Sequence, residues 1–489
     1  MSAPVFDQIL IGGTWVPAAR GTYEVVNPAT GGVAGQAPEC STEQVADAAR
    51  AAREAFESGP WPRMSGAERG ALLLEAADAF RRRMDDLVDL TVAETGALRP
   101  IARQLQVGEV VARFEKYARL ATSPDVEGLP PISRPGVAGA TARLAAGIVV
   151  REPVGVVACI SPYNFPMTNC AGKIAPALAV GNTVVIKPPP QDPLGMTELA
   201  RIVASVLPPG VLNFVCGSGP EVGEGLTTSP DVDMISFTGS TAVGSLIEQA
   251  AARSMKRTLQ ELGGKSANIV FADCDMPTAI RSSMSVFGFH SGQICIAPTR
   301  LLIEESIYDE FTAKMASAAS AMEIGDPNDE GVVVGPVISE TQLRRIEAYV
   351  LKGIEEGATV ACGGRRPAHM KRGFYFEPTL FTHATNDMTI AREEIFGPVI
   401  TAIAFRDEEE AVRIANDSDY GLYGYVWSGD PVRALRVARA LRTGIVQING
   451  SPPNPDAPFG GYKRSGHGRD GGRFGLEAYS ELKYIGWAS

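Results

Sequence analysis

Val154-Gly155-Val156-Val157-Ala158-Cys159-Ile160-Ser161-Pro162-Tyr163-Asn164-Phe165-Pro166 is an apolar run that stops at a proline-flanked turn. A strand with one face in water alternates polar and apolar residues. A strand with no polar position is covered on both faces, as in the middle of a parallel sheet. The same punctuation recurs downstream: 173–180 reads as helix, 182–186 as strand, 197–207 as helix, 211–216 and 232–237 as strands, and 241–253 as helix. Such alternation over 152–262 predicts a doubly wound α/β sheet, where ligands bind beyond the carboxyl ends of the strands.

Upstream, 6–35 reads as short strands and turns closed by Asn27-Pro28. Helices start at Ser41 and Ser65, with Gln44 and Glu68 three residues on in capping-box spacing. The second is expected to run past Arg83 towards Glu94, and a further helix fits 99–122. Leu129-Pro130-Pro131 and Pro135-Gly136 then break the rhythm, and 141–151 alternates like a strand. That excursion is a surface hairpin or an arm that pairs with another chain, since an open strand edge invites pairing. Downstream, 263–455 forms a second α/β unit with strands at 267–271, 299–303, 399–405 and 444–448, and helices at 277–289, 307–322, 340–356, 408–416 and 431–441. The tail from Pro452 is rich in Gly and Pro and ends in a β-like stretch, 478–487.

A chain of 489 residues exceeds one compact core and fits two or three domains. A net charge of −11 disfavours nucleic-acid binding, and no apolar run reaches the length of a membrane span. The first ten residues lack a signal-peptide pattern. The seven cysteines are scattered without a C-x-x-C pair, which argues against disulfides and zinc and for a reducing cytoplasm. The four histidines show no ligand spacing, so no metal is expected.

Seven stretches can carry chemistry. In Gly292-Gln293-Ile294-Cys295, at the end of a helix, Cys295 is either a small buried hydrophobe or a nucleophile. Glu261-Leu262-Gly263-Gly264-Lys265 offers a carboxylate in a glycine turn that can serve as a general base. Asn164, between prolines at a strand end, either forms the turn or donates to an oxyanion. Lys187, before Pro188-Pro189-Pro190, is solvated or binds a ribose or phosphate. Phe237-Thr238-Gly239-Ser240 and Gly217-Ser218-Gly219-Pro220-Glu221-Val222-Gly223 are tight turns or places where backbone N–H groups approach a pyrophosphate. Glu394 and Phe396 form a solvated acid before a turn or a grip on a ribose and ring.

With Pro458-Phe459-Gly460-Gly461, these motifs stand in one order along the chain, and together the sequence resembles an NAD(P)-dependent aldehyde dehydrogenase over nearly its whole length, from Asn27-Pro28 to Lys483. The resemblance implies a Rossmann-like cofactor domain (1–128 and 151–261), a catalytic α/β domain (262–455), and a small β oligomerisation arm (129–150 and 475–489) of a homodimer or homotetramer. It implies Cys295 as nucleophile through a thiohemiacetal and a thioester. Glu261 would be the base for hydrolysis, Asn164 and the Cys295 N–H the oxyanion donors, and Lys173 a proton-moving or a structural lysine. NAD or NADP would lie along Ile160, Ser161, Pro162, Tyr163, Lys187, Gly219, Gly223, Phe237, Gly239, Ser240, Val243, Leu262, Glu394 and Phe396. Phe165, Phe289, Ile294 and Phe459 would line a substrate tunnel, which suggests a hydrophobic or aromatic aldehyde. No arginine stands out as a carboxylate clamp, which disfavours a semialdehyde acid.

Three positions depart from the family pattern. Pro190 stands where NAD-preferring members carry Glu, leaving the choice of NAD or NADP open; His290 replaces an Asn five residues before the cysteine; and Tyr163 replaces a Trp. His290 either tunes the Cys295 thiol or fills the structural place of the Asn. A cofactor-independent thiol esterase and a catalytically silent cofactor-binding relative are the competing readings.

Overall fold

The computed structural model describes residues 3–134 and 143–488. Its first sheet contains β1 (Gln8–Ile11), β2 (Thr14–Pro17), β3 (Val156–Ile160), β4 (Thr183–Lys187), β5 (Leu212–Phe214), β6 (Met234–Thr238) and β7 (Arg257–Glu261), in the order β2-β1-β5-β4-β3-β6-β7. The last five run parallel, and Gly466–His467 closes the edge antiparallel to β7. Every residue of β3 is buried, as its unbroken apolar run requires. The chain lays β4 and β5 to one side of β3, then returns to place β6 and β7 on the other. The switch point between β3 and β6 therefore opens a crevice between Ser161-Pro162-Tyr163-Asn164 and Thr238-Gly239-Ser240.

The helix after β3 spans Pro166–Val180 and so begins a full two turns before Lys173. A proline at the first helical position has its φ already set and no N–H to satisfy. Both capping boxes form, at Ser41 and at Ser65. The helix expected to cross Arg83 is two helices, Gly66–Arg82 and Met84–Thr95. Arg83 leaves helical geometry (φ −106°, ψ 11°), and Asp85 and Asp86 then sit in a new first turn, where the helix dipole favours acids. The helical stretch from Arg99 to Leu120 is interrupted by a π-turn, Ala102–Val107, that aims Gln106 inward.

The second sheet contains β8 (Ala267–Val270), β9 (Arg300–Glu304), β10 (Thr359–Cys362), β11 (Thr379–Thr382), β12 (Val399–Phe405), β13 (Tyr423–Trp427) and β14 (Ile445–Ile448), in the order β10-β11-β12-β9-β8-β13-β14. All neighbours are parallel except β10 and β11. The cores are separate: one packs around the first sheet, and two apolar clusters flank the second.

Val126–Arg134, Arg143–Pro153 and Ser480–Ala488 form a three-stranded antiparallel sheet apart from both cores. The predicted turn at Pro135-Gly136 lies outside the described residues. The tail becomes strand only at Ser480; Gly472–Ala478 is a helix. No helix among the described residues is long and apolar enough to cross a membrane.

Candidate active site

Glu261 ends β7, and its carbonyl accepts the Gly239 N–H at 3.1 Å, which ties it to the crevice wall. The chain then crosses to β8 through Leu262-Gly263-Gly264-Lys265. Both glycines are required by close approach rather than by backbone angle. A Cβ on Gly264 would lie 2.3 Å from the Cys295 carbonyl oxygen, and one on Gly263 would lie 2.3 Å from Glu394 Oε2. Glu394 Oε1 accepts the Gly264 N–H at 3.0 Å. Ser465 braces the crossing, with Oγ donating to the Gly263 carbonyl at 2.6 Å and its own carbonyl accepting the Leu262 N–H at 3.0 Å. The carboxylate loop is thus wedged against the backbone of Cys295.

Cys295 follows the helix Met276–Gly288 and a left-handed turn, His290 (φ 54°), Ser291 (φ 53°) and Gly292 (φ 76°). Two consecutive non-glycine residues at positive φ are strained and need external support. Gln293 supplies it: Oε1 accepts the Ile338 N–H at 2.9 Å, and Nε2 donates to the His290 carbonyl at 3.2 Å. The Gln293 carbonyl accepts from Asn164 Nδ2 at 2.9 Å, and Gln106 Nε2 donates to the Asn164 carbonyl at 3.1 Å. Asn164 is therefore clamped at both its amide and its backbone. Its second Nδ2 hydrogen has no acceptor among the described residues.

Glu261 is 5% exposed, and both carboxylate oxygens lack partners. Burial and then the Asp470 charge push its pKa well above the usual carboxylate range, against the pull of Lys173 and Arg469. The Cys295 thiol is pushed up to about 12 by burial, Glu394 and Glu261, while its own N–H and that of Ile296 pull it down. Its side chain still keeps some contact with solvent. The resting thiol is thus protonated. Lys173 is buried with Nζ 3.3 Å from Ser236 Oγ, which lies 2.7 Å from the Tyr479 hydroxyl. Burial holds its pKa below the lysine value against Asp470 and Glu261. His290 is 2% exposed, and burial lowers it to about 4, partly offset by the Asn164 backbone. A neutral imidazole brings no charge to the thiol. His290 packs its ring on Phe165 at 5.3 Å, and both its ring nitrogens are buried without a partner among the described residues.

Phe165 and Phe289 pair at 5.8 Å, and Ile294 is half-buried beside the nucleophile. Phe459 comes from a separate segment, its N–H and C=O paired with the Asp470 backbone at 2.8 and 2.7 Å. Sequence reasoning missed Asp470, Ser465 and Gln106. All three act through partners distant in the chain, and no local spacing marks them.

The family model described as "Aldehyde dehydrogenase family" matches residues 15–485. The chain belongs to the aldehyde dehydrogenase family. It is 39% identical to a betaine aldehyde dehydrogenase of Bacillus subtilis (strain 168) over 98% of this chain and 96% of that one. It is 41% identical to a 3-succinoylsemialdehyde-pyridine dehydrogenase of a Pseudomonas species over 98% of both. Among solved structures, it matches the NAD+ complex of an aldehyde dehydrogenase from Bacillus cereus with a TM-score of 0.91 at 36% identity, covering 98% of this chain and 96% of the other. A betaine aldehyde dehydrogenase from Staphylococcus aureus with NAD+ matches with a TM-score of 0.94 at 37% identity, covering 98% and 95%. An NAD(P)-dependent oxidoreductase of aldehydes is thus the class of this chain.

The residues of this aldehyde dehydrogenase fit a dinucleotide. Ser161 Oγ, at the carboxyl end of β3, is buried without a partner. Ser240 caps the helix Thr241–Ala252, whose N-terminus faces the crevice, and Val243 is left 45% exposed beside it. A Cβ on Gly223 would meet nothing within 4 Å, so there is open space on that side. Ile160, Phe237 and Leu262 are buried, while Pro162 and Gly239 are half-buried. Tyr163 and Phe396 meet edge to face at 5.7 Å, and Phe396 holds φ 60°. Lys187 is buried with Nζ 3.0 Å from the Pro188 carbonyl, near Glu221, whose carboxylate covers Gly219.

Proposed function

We propose that Cys295 is the nucleophile in the oxidation of an aldehyde to its carboxylic acid, with Glu261 as general base. Asn164 and the Cys295 N–H would serve as oxyanion donors. The observation that carries this reading is a buried, unpartnered carboxylate whose loop is pressed onto the backbone of the cysteine it acts with. Cys295 gives up its thiol proton to solvent, Sγ adds to the aldehyde carbon, and the clamped Asn164 amide stabilises the developing oxyanion. NAD(P)+, held by the crevice residues named above, supplies the hydride acceptor when bound. Glu261 takes a proton from the water that cuts the resulting acyl–sulfur bond. Lys173 and Asp470 set the charge that Glu261 feels, from opposite directions. The aromatic pair at Phe165 and Phe289, with Phe459 and Ile294, suits an apolar or aromatic aldehyde body. The two sheets support a division into domains 1–128 with 151–261 and 262–455. The free state of all seven cysteines supports a cytoplasmic setting.

NAD(P)H fluorescence after mixing with aldehydes tests this, each with NAD and with NADP because Pro190 leaves that choice open. Cys295 must lose a proton to add and Glu261 must lose one to hydrolyse, and both are raised, so kcat is expected to climb with pH from neutrality into the alkaline range. A fall over that range, or acid formation without cofactor, contradicts the proposal; the second outcome favours the thiol esterase.

The arm predicts a homodimer or homotetramer. Leu482, Tyr484 and Trp487 are 68, 61 and 52% exposed on a sheet with an open edge, which strand pairing between chains would cover. Light scattering is expected to give a multiple of the chain mass, and a monomer at micromolar concentration rejects it.

A further inference from the structure

The helix Gly108–Leu120 leaves the active site alongside Pro166–Val180. Gln106, just before the first, holds the Asn164 carbonyl, and Arg113 reaches Gly172 on the second. Arg113 lies seven residues beyond Gln106 and Gly172 eight beyond Asn164, so Arg113 stands about 10 Å along the helices from the Asn164 end. Gly172 makes the room, since a Cβ there would lie 2.3 Å from Arg113 Nη1. Among the described residues the guanidinium makes no hydrogen bond. Its Nε is sealed from water without a partner, its paired carboxylate, Glu109, is 3.8 Å away, and the buried Asp470 carboxylate borders the same Gly172 gap and feels the Arg113 charge. The sealed Nε is costly unless an acceptor arrives, while the outer nitrogens keep some contact with water.

One to two turns further on the same helix lies a cavity of about 440 Å³, lined by Lys116, Arg119, Asp456, Arg473 and Phe474 among others. Lys116 is already neutralised by Asp456 at 3.2 Å and bonded to the Pro455 carbonyl. Arg119 and Arg473 have no carboxylate partner among the described residues. Asp456 lines this cavity, and three residues on Phe459 pairs its backbone with Asp470. The chain as a whole carries −11, yet this mouth is cationic.

We propose that Arg113, with Arg119 and Arg473 outside it, binds the anionic far end of an elongated aldehyde, a carboxylate on an apolar or aromatic body. This departs from the expectation that no arginine serves as a carboxylate clamp, because Arg113 sits unmarked in an amphipathic helix and is brought near Gly172 only by folding. Guanidinium and carboxylate match in planar, two-point geometry, which makes the site selective for charge as well as length. The proposal rests on the aldehyde oxidation above and names its substrate class.

The test compares kcat/KM for 3-(4-formylphenyl)propanoate, its methyl ester and a trimethylammonium analogue, with benzaldehyde alongside, in the full chain with saturating cofactor. The carboxylate is expected to exceed the ester by about tenfold or more, the scale of a hydrogen bond to a charged group. Arg113→Gln is expected to erase most of that ratio through KM, and the double variant Arg119→Gln with Arg473→Gln to lower it in the same direction. A parent that ignores the tail or prefers the cation overturns the proposal, as does a ratio that neither variant changes. A parent that oxidises benzaldehyde but ignores the tail leaves aldehyde oxidation standing. A parent that oxidises none of the four removes both.

Discussion

Cys295→Ala is expected to lower kcat for every aldehyde by about 10⁴-fold or more, the loss seen when a covalent nucleophile is removed. Only a thiolate adds to the carbonyl, and no second thiol is placed to replace it. The other cysteines are buried apart from Cys274, whose thiol is raised to about 11 by partial burial and then by Asp273 and Asp275. Cys295→Ser should fare no better, because a hydroxyl gives up its proton far less readily than a thiol in the same acidic, enclosed setting. The fold should tolerate either change. The turn before Cys295 is held by Gln293, Gly292 and Asn164 rather than by the sulfur. Steady-state rates with several aldehydes, together with NADH or NADPH fluorescence titration, read this out: binding is expected to persist while turnover vanishes. A parental rate in either variant would remove Cys295 from the chemistry and the mechanism with it.

The sequence shows the parts of the site that obey local rules. The apolar run into β3 and the capping boxes at Ser41 and Ser65 announce themselves, because burial and helix capping leave residue patterns. β7 does not: Arg257-Thr258-Leu259-Gln260-Glu261 reads as a polar segment, yet its last three residues are buried between β6 and Gly466–His467. Its polarity is a functional exception to strand patterning, since it carries Glu261 into the crevice. Arg83 breaks a helix without Gly or Pro, through acids that suit a helix start better than a helix middle. Asp470 and Arg113 are ordinary charged residues in sequence. They acquire meaning only when the first meets Lys173 and Glu261, and the second finds the space left by Gly172. Motifs reveal residues that must sit near one another in the chain; charge networks assembled from distant segments leave no such trace.

Glu261→Gln should separate the two halves of the reaction. Addition of Cys295 to the aldehyde and loss of hydride need no water, so the variant should release about one equivalent of NAD(P)H per active site in a rapid burst. Hydrolysis then lacks its base, and the steady rate is expected to fall by about 10²–10⁴-fold, the usual worth of a positioned proton acceptor. The same substitution has a predictable effect on stability. The Glu261 pKa is raised in the folded chain, so the folded form holds a proton that the unfolded chain releases as pH climbs past its lower value. Stability from this group is therefore full in acid and is lost as pH rises towards the folded value. A neutral amide escapes that loss. Glu261→Gln should raise the melting temperature relative to the parent at pH 8, with the advantage shrinking towards pH 4. A carboxylate kept only for structure would give the reverse: no burst, and a lower melting temperature at every pH. The parent retains Glu261 at a cost in stability because an unpaired carboxylate is what the acyl–sulfur bond requires.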